Sequence, residues 1–206
     1  RERFEARACS PPIRREAETY LARIVEEETR KSNATAARES GDDGGGALGP
    51  TDRDYDETFG PLATKSLSGG RGSWKVCTLT DAGGRPHPDA LRLFPEALRL
   101  LERVPRRCGS ACVSVLRPGA RILLHRGPSN CRLTCHFGII VPRGDLRIRV
   151  GTDSAMWEEG EWLVFDDAYA HSVENRTAGW RLVIIVDVWR EELSDAECAV
   201  LCGASA

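Results

Sequence analysis

After Gly109 the chain becomes a succession of short apolar runs, each ended by a glycine or proline turn. The runs "ACVSVL", "ARILLH", "RLTCHFGIIV", "LRIRV", "EWLVFD" and "RLVIIVDVW" are separated by "RPG", "RGPSN", "PRGD", "WEEGE" and "NRTAG". They are of strand length and rich in β-branched and large apolar residues. Many short strands with such turns fold as a sandwich or barrel. A jelly roll, two facing antiparallel sheets, accommodates about eight of them. The expected fold is mainly β: a double-stranded β-helix of the jelly-roll or cupin-like kind, with N-terminal helices and a short C-terminal helix.

The flanks fit that core. "SWKVCTLT" reads as an early strand. "PDALRLFPEALRLLERVP" reads as a helix broken before Pro95, because a residue preceding proline is pushed out of the helical region. "PPIRREAETYLARIVEEETRK" (residues 11–31) is an amphipathic helix, with Pro12 in its first turn and Ile13, Ala17, Tyr20, Leu21 and Ile24 on one face. "ESGDDGGGALGPTDRDYD" breaks all periodicity and reads as a mobile loop or linker. It has no GK[ST] ending, so its glycines are not a phosphate loop. "LSDAECAVL" closes the chain as a short helix capped by Ser194. The division expected is residues 1–72, helix and Gly/Asp-rich loop, followed by a jelly-roll domain over 73–206. There are no internal repeats.

Composition excludes some functions. A formal charge of -2 argues against a nucleic-acid partner, which requires a basic face. No apolar run is long enough for a transmembrane helix. The chain starts at Arg1 rather than Met, which leaves room for a removed targeting or anchoring segment. Six of the eight cysteines pair at a spacing of four: Cys108/Cys112, Cys131/Cys135 and Cys198/Cys202. That spacing suits neither a CxxC motif nor good disulfide geometry. Reduced thiols favour a reducing, cytoplasmic compartment. Sequons at Asn33 and Asn175 keep a luminal location open.

Histidines carry the chemistry. His125 ends a strand-like run at a turn, and His171 lies in a loop just before "RLVIIVDVW". In a jelly roll these two positions can converge at one mouth, and neutral imidazoles suit Fe(II). Arg181, at the start of the last long strand, could clamp a dicarboxylate. Non-haem iron oxygenases generally use two histidines and a carboxylate. Here the position that would carry the carboxylate, two after His125, is Gly127. Asp166 and Asp167 are rival ligands, or they support the loop and orient a histidine. Trp157, Trp162 and Trp189 read as core, and His87 as a solvent-facing turn residue.

"HRGPSNCRLTCHFGIIVP", "RVGTDSAMWEEGEWLVFDDAYAHSVEN" and "RLVIIVDVWREEL" together resemble the aspartyl/asparaginyl β-hydroxylase family of 2-oxoglutarate-dependent oxygenases. The likeness covers residues 110–193, with the motifs in order. It implies iron held by His125 and His171 without a protein carboxylate, glycine in its place and water completing the sphere. It also implies that Ser114 and Arg181 hold the distal carboxylate of 2-oxoglutarate, and that His136 helps hold the carboxylate near the metal. Arg132 matches a family arginine facing the substrate. Thr134 departs: better-known members carry a second arginine there. "WREEL" replaces a more usual "WHPEL"-like ending, which lies beyond the site.

The resemblance thus implies a dioxygenase using Fe(II), 2-oxoglutarate and O₂ to hydroxylate the β-carbon of Asp or Asn residues in a peptide or protein. Small-molecule or lipid substrates are the alternative within the family. Two other readings stay open: a non-catalytic jelly-roll module that binds a carboxylate, and a cupin-like metalloenzyme that does not use 2-oxoglutarate. The latter would not need Ser114 and Arg181 together.

Overall fold

The computed structural model describes residues 11–39 and 74–203. The Gly/Asp-rich stretch lies outside them. The elements are α1 (Pro11–Glu39), β1 (Trp74–Thr80), α2 (Pro88–Leu93), α3 (Pro95–Glu102), β2 (Arg107–Leu116) and β3 (Arg121–His125). They continue with β4 (Arg132–Ile140), β5 (Leu146–Val150), β6 (Asp153–Ala155), β7 (Trp162–Phe165), β8 (His171–Asn175), β9 (Arg181–Trp189) and α4 (Asp195–Gly203).

Two antiparallel sheets form, a five-stranded one in the order β1-β2-β9-β4-β7 and a four-stranded one in the order β3-β8-β5-β6. This is the jelly roll expected from the strand-and-turn pattern. Strand β9 explains why the larger sheet is stable. Alternate residues of a strand face opposite sides. Leu182, Ile184, Val186 and Val188 join one core cluster, while Val183 and Ile185 join the other. A central strand buried on both faces therefore reads as a nearly continuous apolar run.

The helices cover the outer face of the larger sheet. Ile13, Ala17 and Ile24 of α1 are buried in one cluster with Leu79, Phe94, Leu101 and Phe137. The face read from the sequence is thus the face that packs. The break before Pro95 is real, with Phe94 capping the second helix and Pro95 opening it. Ser194 and Glu197 form a reciprocal capping box at α4: Glu197 N–H donates to Ser194 Oγ (3.3 Å) and Ser194 N–H to Glu197 Oε2 (2.8 Å).

Three details differ from the sequence reading. β2 begins at Arg107, with a register shift between Cys108 and Ala111 where Gly109 takes φ 65°. His171 is not in a loop; it opens β8, which pairs with both β3 and β5. The run "HSVEN" hid this strand because it is short and alternates with polar residues. Finally, the Asn175 sequon is structural. Its side chain is fully buried and its amide N–H donates to the carbonyls of Arg117 (3.1 Å) and Gly179 (2.9 Å). All seven described cysteines are free thiols.

Candidate metal and carboxylate site

His125 and His171 are direct partners across the β3–β8 ladder, and their rings lie 4.0 Å apart between centroids. Each ring is oriented by a backbone carbonyl two residues earlier. Nδ1 of His125 meets the Leu123 carbonyl at 2.8 Å, and Nδ1 of His171 meets that of Tyr169 at 3.0 Å. A carbonyl only accepts, so both Nδ1 atoms carry the proton and both Nε2 atoms keep a lone pair. That is the tautomer a metal requires. Burial holds the His125 imidazole below its usual pKa, which keeps it neutral. Among the described residues, no group of three His, Cys, Asp or Glu side chains is arranged to hold a metal. Two imidazoles leave most of a coordination sphere to water and small-molecule oxygen atoms.

Gly127 has a direct structural cause. A Cβ built there would lie 1.9 Å from Asp167 Oδ2. The Asp167 carboxylate, on the other loop, occupies the space a side chain at 127 would fill. The two loops are also tied by Gly127 N–H donating to the Asp167 carbonyl (2.7 Å). Asp167 is buried and its Oδ1 has no partner among the described residues. A buried acceptor left open is costly unless water or a ligand satisfies it. A hydrated cation beside His125 would do so. Asp166 has a different task. Its carboxylate accepts from Ala168 N–H (3.0 Å) and pairs with Arg190, whose Nε also donates to the Asn130 carbonyl (2.6 Å). Arg190 therefore bridges the two loops that carry the site, although its sequence motif placed it beyond the site.

Arg181 lies over Trp157, whose indole is bonded to His136. Among the described residues Arg181 is the largest fully buried side chain, and no carboxylate is paired with it. Its Nη2 donates to Ser114 Oγ (2.9 Å), while Nε and Nη1 have no partner among the described residues. Trp157 lies beneath the guanidinium, with its ring centroid 5.2 Å from Cζ. Burial lowers the Arg181 pKa to about 9. An unpaired, buried cation with open donors requires an anion. Ser114 Oγ accepts from both Arg181 and the Trp74 indole N–H (2.9 Å), so its own hydroxyl proton remains to be donated.

His136 completes this part of the site. Its Nδ1 accepts the Trp157 indole N–H at 3.2 Å, and indole can only donate. The neutral ring must therefore carry its proton on Nε2. Burial first, then the charges of Arg181 and His171, hold its pKa well below the usual value. Phe165 contacts both His136 (5.1 Å) and His171 (5.3 Å) edge-on. Trp157 was read as core and is buried, yet it sets the His136 tautomer and floors Arg181. Its position follows from Gly138, where a Cβ would meet the Glu158 carbonyl at 2.2 Å, so the turn can close onto β4.

Arg132 and Thr134 lie on the same face of β4 as His136, toward the start of the strand. Both engage Asp187, the cross-strand partner of Thr134 on β9. Thr134 Oγ1 donates to Asp187 Oδ1 (2.8 Å), and Arg132 Nη1 pairs with Oδ2 (3.0 Å). Burial raises the Asp187 pKa, opposed by Arg132 and Thr134. The sequence reading missed Asp187; its signal was an acidic residue inside an otherwise apolar strand. His87 lies away from this group and caps α2, accepting from Asp89 N–H.

Fold and site define an antiparallel jelly roll with paired histidines in its mouth and a buried, unpaired arginine behind them. A sequence model of the aspartyl/asparaginyl beta-hydroxylase family matches residues 9–191. The chain belongs to that family. It is 38% identical over 128 residues to human aspartyl/asparaginyl beta-hydroxylase, which is 60% of this chain and 17% of that protein. It is 36% identical over 146 residues to human aspartate beta-hydroxylase domain-containing protein 2, covering 66% of this chain and 39% of the relative. The chain thus spans well under half the length of these relatives. A cupin domain of an XRE family transcriptional regulator from Enterobacter cloacae is similar at TM-score 0.38 and 13% identity, over 58% of this chain and 99% of that one. At that level the likeness adds nothing to the strand order described above.

Proposed function

We propose that this chain is an Fe(II)- and 2-oxoglutarate-dependent dioxygenase that hydroxylates the β-carbon of an aspartyl or asparaginyl residue in a peptide or protein. The observation that carries the reading is Arg181: a fully buried guanidinium with Nε and Nη1 unpaired, in the same pocket as two histidines with free Nε2 atoms. A cation held this way needs a carboxylate, and the histidines need a metal. A dicarboxylate that spans both satisfies each.

The residues divide the work. His125 and His171 would hold the iron through Nε2, each locked by its Nδ1–H contact to a carbonyl. Asp167 would accept from a water beside them through its open Oδ1. Arg181 and the Ser114 hydroxyl would grip the distal carboxylate of 2-oxoglutarate. His136 would donate its Nε2–H to the carboxylate nearer the metal. Phe165 and Trp157 pack against His136, His171 and Arg181, and water excluded there by bound ligands would strengthen each of these contacts. Iron and 2-oxoglutarate, when bound, would supply the oxidising chemistry, with one oxygen atom of O₂ inserted into the substrate C–H bond and the other into succinate, with loss of CO₂.

Family membership and the hydroxylase names of the relatives support the reaction class. A small-molecule or lipid substrate is the alternative within it. A carboxylate-binding module without catalysis would use Arg181 but have no need of two histidines in the metal-binding tautomer. The test is succinate formation by the purified chain with Fe(II), 2-oxoglutarate and a peptide panel, alongside mass shifts of +16 Da on the peptides. Carboxylate binding without iron-dependent succinate would favour the binding module.

A further inference from the structure

The two arginines in this pocket are in opposite electrostatic states. Among the described residues Arg181 has no carboxylate partner, whereas Arg132 is already paired with Asp187. Asp187 is within electrostatic reach of Asp167, and Asp167 of His125. Thr134 is the cross-strand partner of Phe165, whose ring contacts His171, so one part of the site carries the unpaired Arg181 and the part nearer Thr134 carries a cation already matched by an acid. The first part is suited to an anion. The second is not.

Resting on the oxygenase reading above, we infer that the mouth of this site selects a neutral carboxamide side chain, as of an asparaginyl residue, over a carboxylate, and that Arg132, Thr134 and Asp187 make the selection. The donor inventory gives the reason. Thr134 has one hydroxyl proton and spends it on Asp187 Oδ1. Arg132 Nη1 is committed to Oδ2, while Nε has no partner. What remains is acceptor capacity on Asp187 and on Thr134 Oγ1, plus uncommitted N–H donors on Arg132. A carboxamide matches both kinds: its NH₂ donates toward Asp187 or Thr134, and its carbonyl accepts from Arg132. A carboxylate has no proton to donate. It would also stand beside two acids with only a neutralised arginine to receive it. Unfavourable like-charge placement and unmatched acceptors discriminate more sharply than lost attraction does.

Thr134 is the residue through which this works. At its register position opposite Asp187, a threonine carries no charge, and its hydroxyl only satisfies the acid. A cation at 134 would neutralise Asp187 and release Arg132 to meet an anionic side chain.

The experiment offers immobilised chain, loaded with Mn(II) and 2-oxoglutarate, two equal peptide pools. The pools share randomised flanks and differ only in a central Asn or Asp; retained peptides are quantified by mass spectrometry. Binding of 2-oxoglutarate is measured separately by calorimetry. The expected result is retention of the Asn pool about tenfold or more over the Asp pool, with the same preference in +16 Da products when Fe(II) replaces Mn(II). Thr134→Arg and Asp187→Asn, each separately, should bring the ratio toward unity. Equal retention, preference for Asp, or no retention of either pool while 2-oxoglutarate still binds overturns this inference alone. Absence of 2-oxoglutarate binding overturns the oxygenase reading and this inference with it.

Discussion

Asp167 fills the space that a side chain at position 127 would need: its Oδ2 lies 1.9 Å from where a Cβ on Gly127 would stand. The glycine two residues after His125 and the acid four residues before His171 are one structural unit. Gly127→Ala should therefore destabilise the fold by about 1–3 kcal/mol, the usual cost of overpacking. In an Asp167→Ala background the same change should cost much less, because the obstructing group is gone. Urea titrations of the four proteins give the coupling directly. Additive costs would show that the contact does not constrain residue 127.

Either His125→Ala or His171→Ala should weaken Fe(II) binding by about tenfold or more, roughly 1.4 kcal/mol, because one imidazole of a two-imidazole set remains. His87→Ala should leave metal affinity unchanged, since that ring only caps α2. Equilibrium metal titration is the measurement. Unaltered affinity in both site variants would place the metal elsewhere.

Arg181→Ala should reduce 2-oxoglutarate affinity by about two orders of magnitude or more, since stranding one partner of a buried ion pair costs roughly 3–5 kcal/mol. Ser114→Ala should weaken it less, by about 1.5–3 kcal/mol for one hydrogen bond to a charged group. Calorimetry with Mn(II)-loaded protein separates the two. Equal affinity in wild type and Arg181→Ala would remove Arg181 from this role.

The neutral state of His136 sets a pH dependence of stability. Its folded pKa is well below the ordinary 6.5, chiefly through burial. Below pH 6.5 the unfolded chain takes up a proton that the folded chain refuses, so stability is full above that pH and falls as pH drops. The slope from one such group reaches at most about 1.4 kcal/mol per pH unit. His125, lowered for the same reason, adds in the same direction. His136→Asn, which keeps an acceptor for Trp157, should flatten the loss between about pH 6.5 and pH 5 in chemical denaturation. An unchanged slope would mean that His136 takes up its proton without unfolding.

Much of the fold is legible in the chain. The apolar content of "RLTCHFGIIV" and the apolar continuity of "RLVIIVDVW" mark two strands in the interior of a layered sheet, as β4 and β9 are, and Gly/Pro turns separate the strands. The helix face Ile13, Ala17 and Ile24 reads from its spacing and packs as read. Strands β6 and β8 are not legible in this way. "DSA" and "HSVEN" carry too little apolar character to announce themselves, and they are held by ladder bonds to β5.

The site divides along the same line. Sequence alone supplies the residues with chemistry, His125, His171, His136, Ser114 and Arg181, because their type and motif position are local properties. It also supplies the face of each strand residue, since side-chain direction alternates with period two. What it leaves undetermined is which residues oppose one another. Register between β4 and β9 places Asp187 against Thr134 and so removes Arg132 from the list of free cations. The approach of two distant loops puts the Asp167 carboxylate into the space at Gly127, and the turn closing over Gly138 sends the Trp157 N–H to His136. Each of these partners is separated from its mate by many residues of chain, and only strand register and the approach of distant loops bring them within hydrogen-bonding distance.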